Sequence, residues 1–569
     1  VLSFRTGGEH RRSHVTGVSR SDSDFGRKGR VRDGVRDGAR DGVRDGARVR
    51  RRSAVSPSLT LYAVLGAVLP FTGGCALPSL ENRPVSISLP AEETQGTPLG
   101  QAITPRAANH PGQSGLHPMG DPRESFAVRV LLARAATRTL DLQYYIWHGD
   151  TTGTLLMSAL REAAERDVRV RLLLDDNGIG GLDADLAFLD EHENIEVRLF
   201  NPFPTRRFKK FGYVYDFSRL NRRMHNKSFT ADGQASVVGG RNVGDEYFGA
   251  TAGVLKSDLD VLLVGPVANE ISTDFDRYWA SDSAYPIERL VPGLEDDDRE
   301  RVLATLQNAA AVPEAQTYLD AIRESTFIRE LLESSPELAW SDVRMVTDDP
   351  AKGLGAIAGE GLLINQLDTI LARPEKSVVL VSPYFVPTKA GTDAFVAMAE
   401  RGIAVSILTN SLEATDVVPV HAGYAKRRKA LLAAGVRLFE MKRLSDDQQR
   451  NASAGPFGSS ASSLHAKTFA IDGERAFIGS FNFDPRSMHL NTELGFVIDS
   501  TALASEIEET IESGIPDLAY EVRLDDDGSL YWLERRGEGT VRLETEPNSG
   551  WGKRAAVVVL SWLPIEWML

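Results

Sequence analysis

The sequence predicts an α/β protein of two tandem lobes, each a mixed sheet flanked by helices. A pseudo-twofold relates the lobes and puts the active site at their interface. Three observations predict this. Past residue 125, short strand-like runs alternate with helical patterns. Several of these runs recur at a fixed spacing. Each copy also closes on the same polar string, MHNKSFTADGQASVVGGRN around His225 and LHAKTFAIDGERAFIGSFN around His465, an offset of 465 − 225 = 240 residues.

The elements follow in chain order. The 569 residues are 42% hydrophobic and 25% charged, ordinary values for a folded chain long enough for more than one domain. Residues 1–58 include the Arg-Asp-Gly repeat GRVRDGVRDGARDGVRDGARVRRR, a leader with too little to bury and expected to be disordered. The first methionine is Met119, which fits a given start upstream of the true one. Residues 59–75, LTLYAVLGAVLPFTGGC, place an apolar run behind Arg50, Arg51 and Arg52, as an export signal does. The run is short for a transmembrane helix. It ends on Cys75, the single cysteine, where a bacterial lipoprotein would carry its lipid; a cleaved signal or a buried thiol are the alternatives. One cysteine excludes an internal disulfide framework and a cysteine-rich metal site. Residues 76–121, with their Pro, Gly and Ser, read as a flexible tether.

The lobes are expected at 122–284 and 359–514. LDLQYYIW at 140–147 answers VLVSPYFVP at 379–387 and sets Tyr144 against Tyr384, again 384 − 144 = 240. AAERDVRVRLLLDDN at 163–177 answers MAERGIAVSILTNS at 398–411, and VRLF occurs at both 197–200 and 436–439. RLLLD and VSILT are apolar enough for central strands covered on both faces. Residues 285–358 form an acidic, helical connecting insertion. Residues 515–569 give a hairpin around Asp-Gly and an apolar tail, whose Trp562 and Trp567 suit an interfacial helix or a packed terminal one.

His-x-Lys-x4-Asp should arise by chance only once in ~20,000 positions. The candidate catalytic residues are therefore His225, Lys227 and Asp232 with His465, Lys467 and Asp472. On a strand, residues i and i+2 face one side, so each histidine and its lysine point together. Brought into one cleft, two ammoniums would bind a phosphodiester and stabilise its five-coordinate transition state. One neutral imidazole would attack phosphorus, and the other, protonated, would supply the leaving alkoxide. This chemistry needs no metal and no cofactor. Asp232 and Asp472 are expected to hold the turn. Asn242, Ser480 and Asn482, on the Gly turns, are candidate phosphate donors. Imidazoles need orienting carboxylates. Glu493 lies 493 − 465 = 28 residues past one histidine and Asp258 lies 258 − 225 = 33 past the other, with ordinary strand-end acids as the alternative.

These residues resemble the phospholipase D superfamily, whose signature is His-x-Lys-x4-Asp-x6-Gly-Ser-x-Asn. The second copy fits through Gly479, Ser480 and Asn482; the first has Gly240 for Ser and Arg241 before Asn242, with Arg241 a possible substitute donor. LDLQYYIWHGDTTG, GGRNVGDEYFG, FDRYW, SPYFVP and LPIEW are similar to the bacterial cardiolipin synthase C subfamily. The resemblance implies transfer of a phosphatidyl group through a phosphohistidine. Phosphatidylglycerol would accept, phosphatidylglycerol or phosphatidylethanolamine would donate, and cardiolipin would form. It implies His225 as nucleophile and His465 as acid/base, an order the pseudo-symmetry leaves reversible. Tyr384 and Phe385 are expected to wall the cleft. Tyr144, Tyr145, Trp147 and His148 line the lipid entrance or, as strand aromatics, fill the core.

Hydrolysis to phosphatidic acid is the closest alternative. A metal-independent nuclease is disfavoured by the net charge of −14; a non-catalytic lipid binder is disfavoured by two intact motifs. The partners expected are phospholipids and a membrane surface, without nucleic acid, for a monomer whose two lobes complete one site. The expected place is the bacterial cell envelope, with the chain exported and lipid-anchored or peripheral.

Overall fold

A computed structural model describes residues 77–249, 256–333, 338–357, 359–370, 374–443 and 463–569. Cys75, the repeat leader and the signal-like segment lie outside the described residues.

Two large mixed sheets carry the fold. The first has nine strands in the spatial order Ala339–Ser341, Ser114–Met119, Asp260–Val264, Ala235–Gly239, Ser228–Ala231, Thr139–Ile146, Arg169–Gly178, Ile195–Phe200 and Ala284–Pro286. The second has ten, in the order Val343–Thr347, Leu494–Ile498, Arg475–Gly479, Thr468–Ile471, Ser377–Val381, Ala404–Asn410, Arg437–Met441, Ala519–Leu524, Leu530–Arg536 and Gly539–Leu543. From Ser114–Met119 onward the first order repeats the second strand for strand, so the expected duplication is present in the hydrogen-bonded topology. The middle strands of each lobe run parallel, Thr139–Ile146 beside Arg169–Gly178 and Ser377–Val381 beside Ala404–Asn410. Helices are started by side-chain caps: Asp150 accepts from the Gly153 amide, Asp121 from Arg123 and Glu124, and Ser500 from Leu503.

The structure corrects the boundaries of the lobes. Residues 76–121 are not a tether over their described part. Thr97 caps the helix Pro98–Ala108, Leu99 and Ile103 are buried, and Ser114–Met119 pairs antiparallel with Asp260–Val264 inside the first sheet. The counterpart strand of the second sheet, Val343–Thr347, comes from the expected insertion and pairs with Leu494–Ile498. The insertion helices also serve the first lobe, burying Val302, Leu306, Tyr318 and Leu331 in its core. Each lobe thus opens with a strand that composition hid, because SGLHPM and VRMVT lack the long apolar run of a central strand.

The fixed offset of 240 also breaks. Leu140 pairs with Ala231 and Val378 with Ile471, so the strands are related by 378 − 140 = 238 while the motifs keep 471 − 231 = 240. Tyr144 therefore corresponds to Ser382, not to Tyr384.

One buried cluster contains Val238, Val261 and Leu263 from the first lobe and Ile478, Leu494 and Phe496 from the second. Each such side chain contributes about 1.5–3 kcal/mol on burial. The lobes are therefore fixed against each other by a shared core.

Candidate active site

His225–Lys227 and His465–Lys467 form extended lead-ins to Ser228–Ala231 and Thr468–Ile471, rather than lying within those strands as expected. Each lead-in is bonded to the opposite lobe. The His225 amide donates to the Thr492 carbonyl at 2.9 Å, and the Thr492 amide returns a bond to Arg223 at 2.9 Å. Ser463–Leu464 pairs in parallel with Lys256–Ser257, and the His465 amide donates to the Ser257 carbonyl at 2.7 Å. The residue after Thr492 is Glu493, and the residue after Ser257 is Asp258. The cross-lobe pairing therefore delivers each carboxylate to the histidine of the other lobe. His225 Nδ1 lies 2.8 Å from Glu493 Oε2, and His465 Nδ1 lies 2.5 Å from Asp258 Oδ2. Spacing along the chain counts each acid from the histidine of its own lobe and does not show that it serves the other.

With Nδ1 of each ring donating to a carboxylate, the Nε2 atoms are left for chemistry. Glu493 is fully buried; Ser480 Oγ donates to its Oε2 and Ser487 Oγ to its Oε1 at 2.8 Å. Its amide donates to Asp348 at 2.9 Å, and Lys352 bonds the same Asp348 oxygen at 2.8 Å. Burial pushes the Glu493 carboxyl up, but His225, Lys227 and Ser480 outweigh it and leave the carboxyl below its usual range.

Positive groups crowd this site. Burial pushes His225 down to about 4 against the pull of Glu493, with Lys227 and Lys467 adding to the depression. Burial, then Lys467, Lys256, Lys227 and His225, push His465 well below its ordinary value. Burial lowers Lys227 to about 7 and Lys467 to about 8. Each lysine folds back so that its Nζ donates to the carbonyl of its own histidine, and Lys467 Nζ also lies 3.0 Å from His465 Nδ1. Burial that strips both lysines of water favours an arriving anion, which would restore their protonated form.

The remaining expected residues divide. Asp232 and Asp472 leave the catalytic set: each sits at positive φ and binds backbone amides of the neighbouring strand's start. Asp232 accepts from Arg138 at 2.8 Å and Thr139 at 2.9 Å; Asp472 accepts from Lys376 at 2.7 Å and Ser377 at 3.0 Å. Ser480 is drawn to Glu493 and also accepts from the Leu494 amide, so its hydroxyl orients a carboxylate rather than meeting phosphate. Asn242 accepts from the Ile146 amide at 3.2 Å, tying the turn to its strand. Asn482 is buried with its side-chain oxygen unpartnered. Arg241 does not aim at the cleft: its guanidinium donates to the carbonyls of Met119, Gly120 and Asp258, so it braces Asp258. Gly240 has its own reason. A Cβ there would stand 2.3 Å from Asp258 Oδ1 and 2.6 Å from Oδ2. The shorter acid occupies the space that Ser480 fills beside Glu493.

Phe385 is not a cleft wall; it is wholly buried and packs against Phe395, Tyr424 and Phe483. Tyr384 donates to Asp416 at 2.8 Å, and Asp416 also holds Lys256 at 3.1 Å. Tyr144 and Trp147 are core residues, with the Tyr144 hydroxyl on Arg129 at 3.0 Å, and His148 stands beside Asp150. Tyr145 lies edge-on to His225 at 5.1 Å, and Tyr247 to His465 at 5.3 Å. Tyr247, Thr492, Asp348 and Asp416 escaped the sequence reading, because only the folded contacts bring them to the histidines.

Comparison with known proteins agrees with this geometry. The family described as cardiolipin synthase, phospholipase D-like domain, fits twice, over residues 130–279 and 367–514. Cardiolipin synthase C of Escherichia coli (strain K12) is 48% identical over 473 residues, covering 83% of this chain and 99% of that one. An uncharacterized protein of Helicobacter pylori (strain ATCC 700392 / 26695) is 30% identical over 462 residues, 80% of this chain and 89% of its own. The crystal structure of phosphatidylserine synthase from Haemophilus influenzae Rd KW20 shares the fold, with a TM-score of 0.51 at 15% identity over 82% of this chain and all of that one. The chain belongs to the cardiolipin synthase family of phospholipase D-like proteins.

Proposed function

We propose that this chain transfers a phosphatidyl group from one phospholipid to phosphatidylglycerol, forming cardiolipin. The observation that carries this is the pair of His-Lys halves, each histidine held by the other lobe's carboxylate in one buried, cation-rich cluster. The similarity to cardiolipin synthase C over nearly all of that protein's length supports the choice of substrate. His225, neutral at physiological pH, attacks the donor phosphorus through Nε2. The P–O bond to the donor headgroup breaks, and protonated His465 gives its Nε2 proton to the departing alkoxide. Burial leads the depression of His465 and the neighbouring lysines add to it; an anion bound at the lysines offsets their share and so favours the acid form. In the second half, the acceptor hydroxyl passes its proton to His465 Nε2 as its oxygen attacks phosphorus. The P–N bond breaks and its electron pair returns to His225. The products are cardiolipin and glycerol or ethanolamine, according to the donor.

Asn242, whose side-chain Nδ2 donor is unpartnered, and Asn482 remain the side chains proposed to border the phosphate. Attachment through a lipid on Cys75, export to a bacterial envelope and action as a monomer complete the proposal. Among the described residues no helix is long and apolar enough to cross a membrane. The test is product analysis with phosphatidylglycerol vesicles. Cardiolipin with released glycerol is expected; phosphatidic acid as the sole product would replace the transferase with a hydrolase.

A further inference from the structure

Two exposed apolar patches, both outside the catalytic cluster, remain unused by this chemistry. The first follows the strand Ile195–Phe200. Short helical turns from Lys209 to Leu220 hold Phe208, Phe211, Val214, Tyr215 and Phe217 out in solvent, with Val214 76% and Phe208 68% exposed. The second is the C-terminal helix Trp551–Trp562. Its Val557 is buried against Leu412 and Ala422, while Trp551, Val558, Val559 and Trp562 face outward, followed by exposed Leu563 and Trp567. Exposed apolar side chains clustered this way, several of them aromatic, mark an interaction surface.

Several contacts link both patches to the site. The Tyr213 hydroxyl lies 3.2 Å from Asn177 Oδ1, and Asn177 Nδ2 lies 3.3 Å from the hydroxyl of Tyr145, whose ring abuts His225. Arg486 joins the two patches. Its guanidinium grips Asn221 Oδ1 at 2.7 Å, at the end of the first patch, and its amide donates at 2.8 Å to the carbonyl of Leu569, at the end of the second.

Charge selects the occupant. Residues 206–223 hold seven arginines and lysines against one aspartate, in a chain of net charge −14. Arg206 and Lys209 are spent inward on Asp176 and Asp183, which leaves Arg207 and Lys210 exposed among the phenylalanines. Cations interleaved with aromatics suit the headgroup and upper acyl region of an anionic bilayer. Tryptophans favour the same depth.

We infer that the 206–217 segment and the outer face of the Trp551–Trp562 helix together form an anionic-bilayer docking surface, which sets the catalytic opening against its lipid substrates. The inference rests on the phospholipid reading of the site, and the test separates the two. The parent is the full chain carrying Cys75→Ser, so that no acyl chain contributes. It is compared with Phe208→Ser/Phe211→Ser/Val214→Ser, with Trp551→Ser/Val558→Ser, and with Arg207→Glu/Lys210→Glu. Flotation uses vesicles of equimolar phosphatidylglycerol and phosphatidylethanolamine, or of phosphatidylcholine alone. Turnover is also measured on dihexanoyl phosphatidylglycerol below its micelle concentration. We expect each variant to lose about tenfold or more of its partition onto anionic vesicles, with turnover of the monomeric lipid within about twofold of the parent. The charge-reversal loss should shrink at high salt. Variants that float like the parent would overturn the docking surface. So would a parent dimer that the serine variants dissolve without any change in flotation, since the patches would then cover a second copy. A parent that binds vesicles but turns over neither lipid would sink the proposed function and leave the docking surface standing.

Discussion

Glutamine at position 493 should cripple His225, 268 residues away in sequence, and should act on attack rather than on proton delivery. Glu493 Oε2 holds His225 Nδ1 at 2.8 Å inside a fully buried network shared with Ser480 and Ser487. A charge-assisted hydrogen bond of this kind is worth about 1.5–3 kcal/mol. Glutamine can also turn its amide nitrogen toward Nδ1, which moves the ring proton onto Nε2, the attacking atom. Together these losses amount to about 3–4 kcal/mol, a slowing of about 10²–10³. The assay is rapid-quench formation of the phosphoenzyme from a phosphodiester with an acidic aryl leaving group, which needs no proton from His465. Glu493→Gln should slow the burst by that factor. Asp258→Asn, which acts on His465, should leave the burst within a few-fold and slow the later turnover. The reverse pattern, an abolished burst in Asp258→Asn and an intact one in Glu493→Gln, would refute the crosswise assignment.

Three further outcomes follow from the same contacts. Lys227 and Lys467 carry charge below about 7 and 8 and lose it above, so a bound oxyanion is held at low pH and released as pH rises. Vanadate affinity measured by calorimetry should therefore fall through pH 7–8 with net proton uptake on binding, and a flat profile would contradict the buried lysines. Gly240→Ser should push Asp258 off His465 and lower turnover about 10²-fold, and adding Asp258→Glu should recover part of it by recreating the Ser480–Glu493 arrangement. Asp232→Ala should cost about 1–3 kcal/mol by stranding the buried Thr139 amide and releasing the part-buried Arg138 amide, read as a lower denaturation midpoint, while the folded fraction keeps its turnover per molecule.

The duplicated α/β architecture was legible in the sequence because each lobe repeats both its apolar runs and its polar string. The His-Lys pairs were singled out for the same reason, since three fixed residues recurring at one offset leave little room for chance. The crosswise carboxylates were not legible. Spacing along the chain orders Asp258 with His225, but the backbone bonds of Ser257 to His465 and of Thr492 to His225 are long-range pairings without a local signal. The match of Tyr384 to Tyr144 misled because it rested on aromatic similarity, two residues out of the strand register that the hydrogen bonds define. Ser114–Met119 was lost for a compositional reason: a six-residue strand containing a proline, behind a Gly- and Pro-containing stretch, has the profile of a linker. Arg241 was read as a phosphate donor from its place in the motif, whereas three carbonyls consume its guanidinium.

The most direct test is the position of the covalent intermediate. The enzyme is quenched in mid-turnover with isotopically labelled phosphatidylglycerol, digested at neutral pH, and the modified peptide is located by mass spectrometry. The phosphatidyl group is predicted on His225, held there by Glu493 from the other lobe. Label on His465, or none while product is still accumulating, would contradict the account.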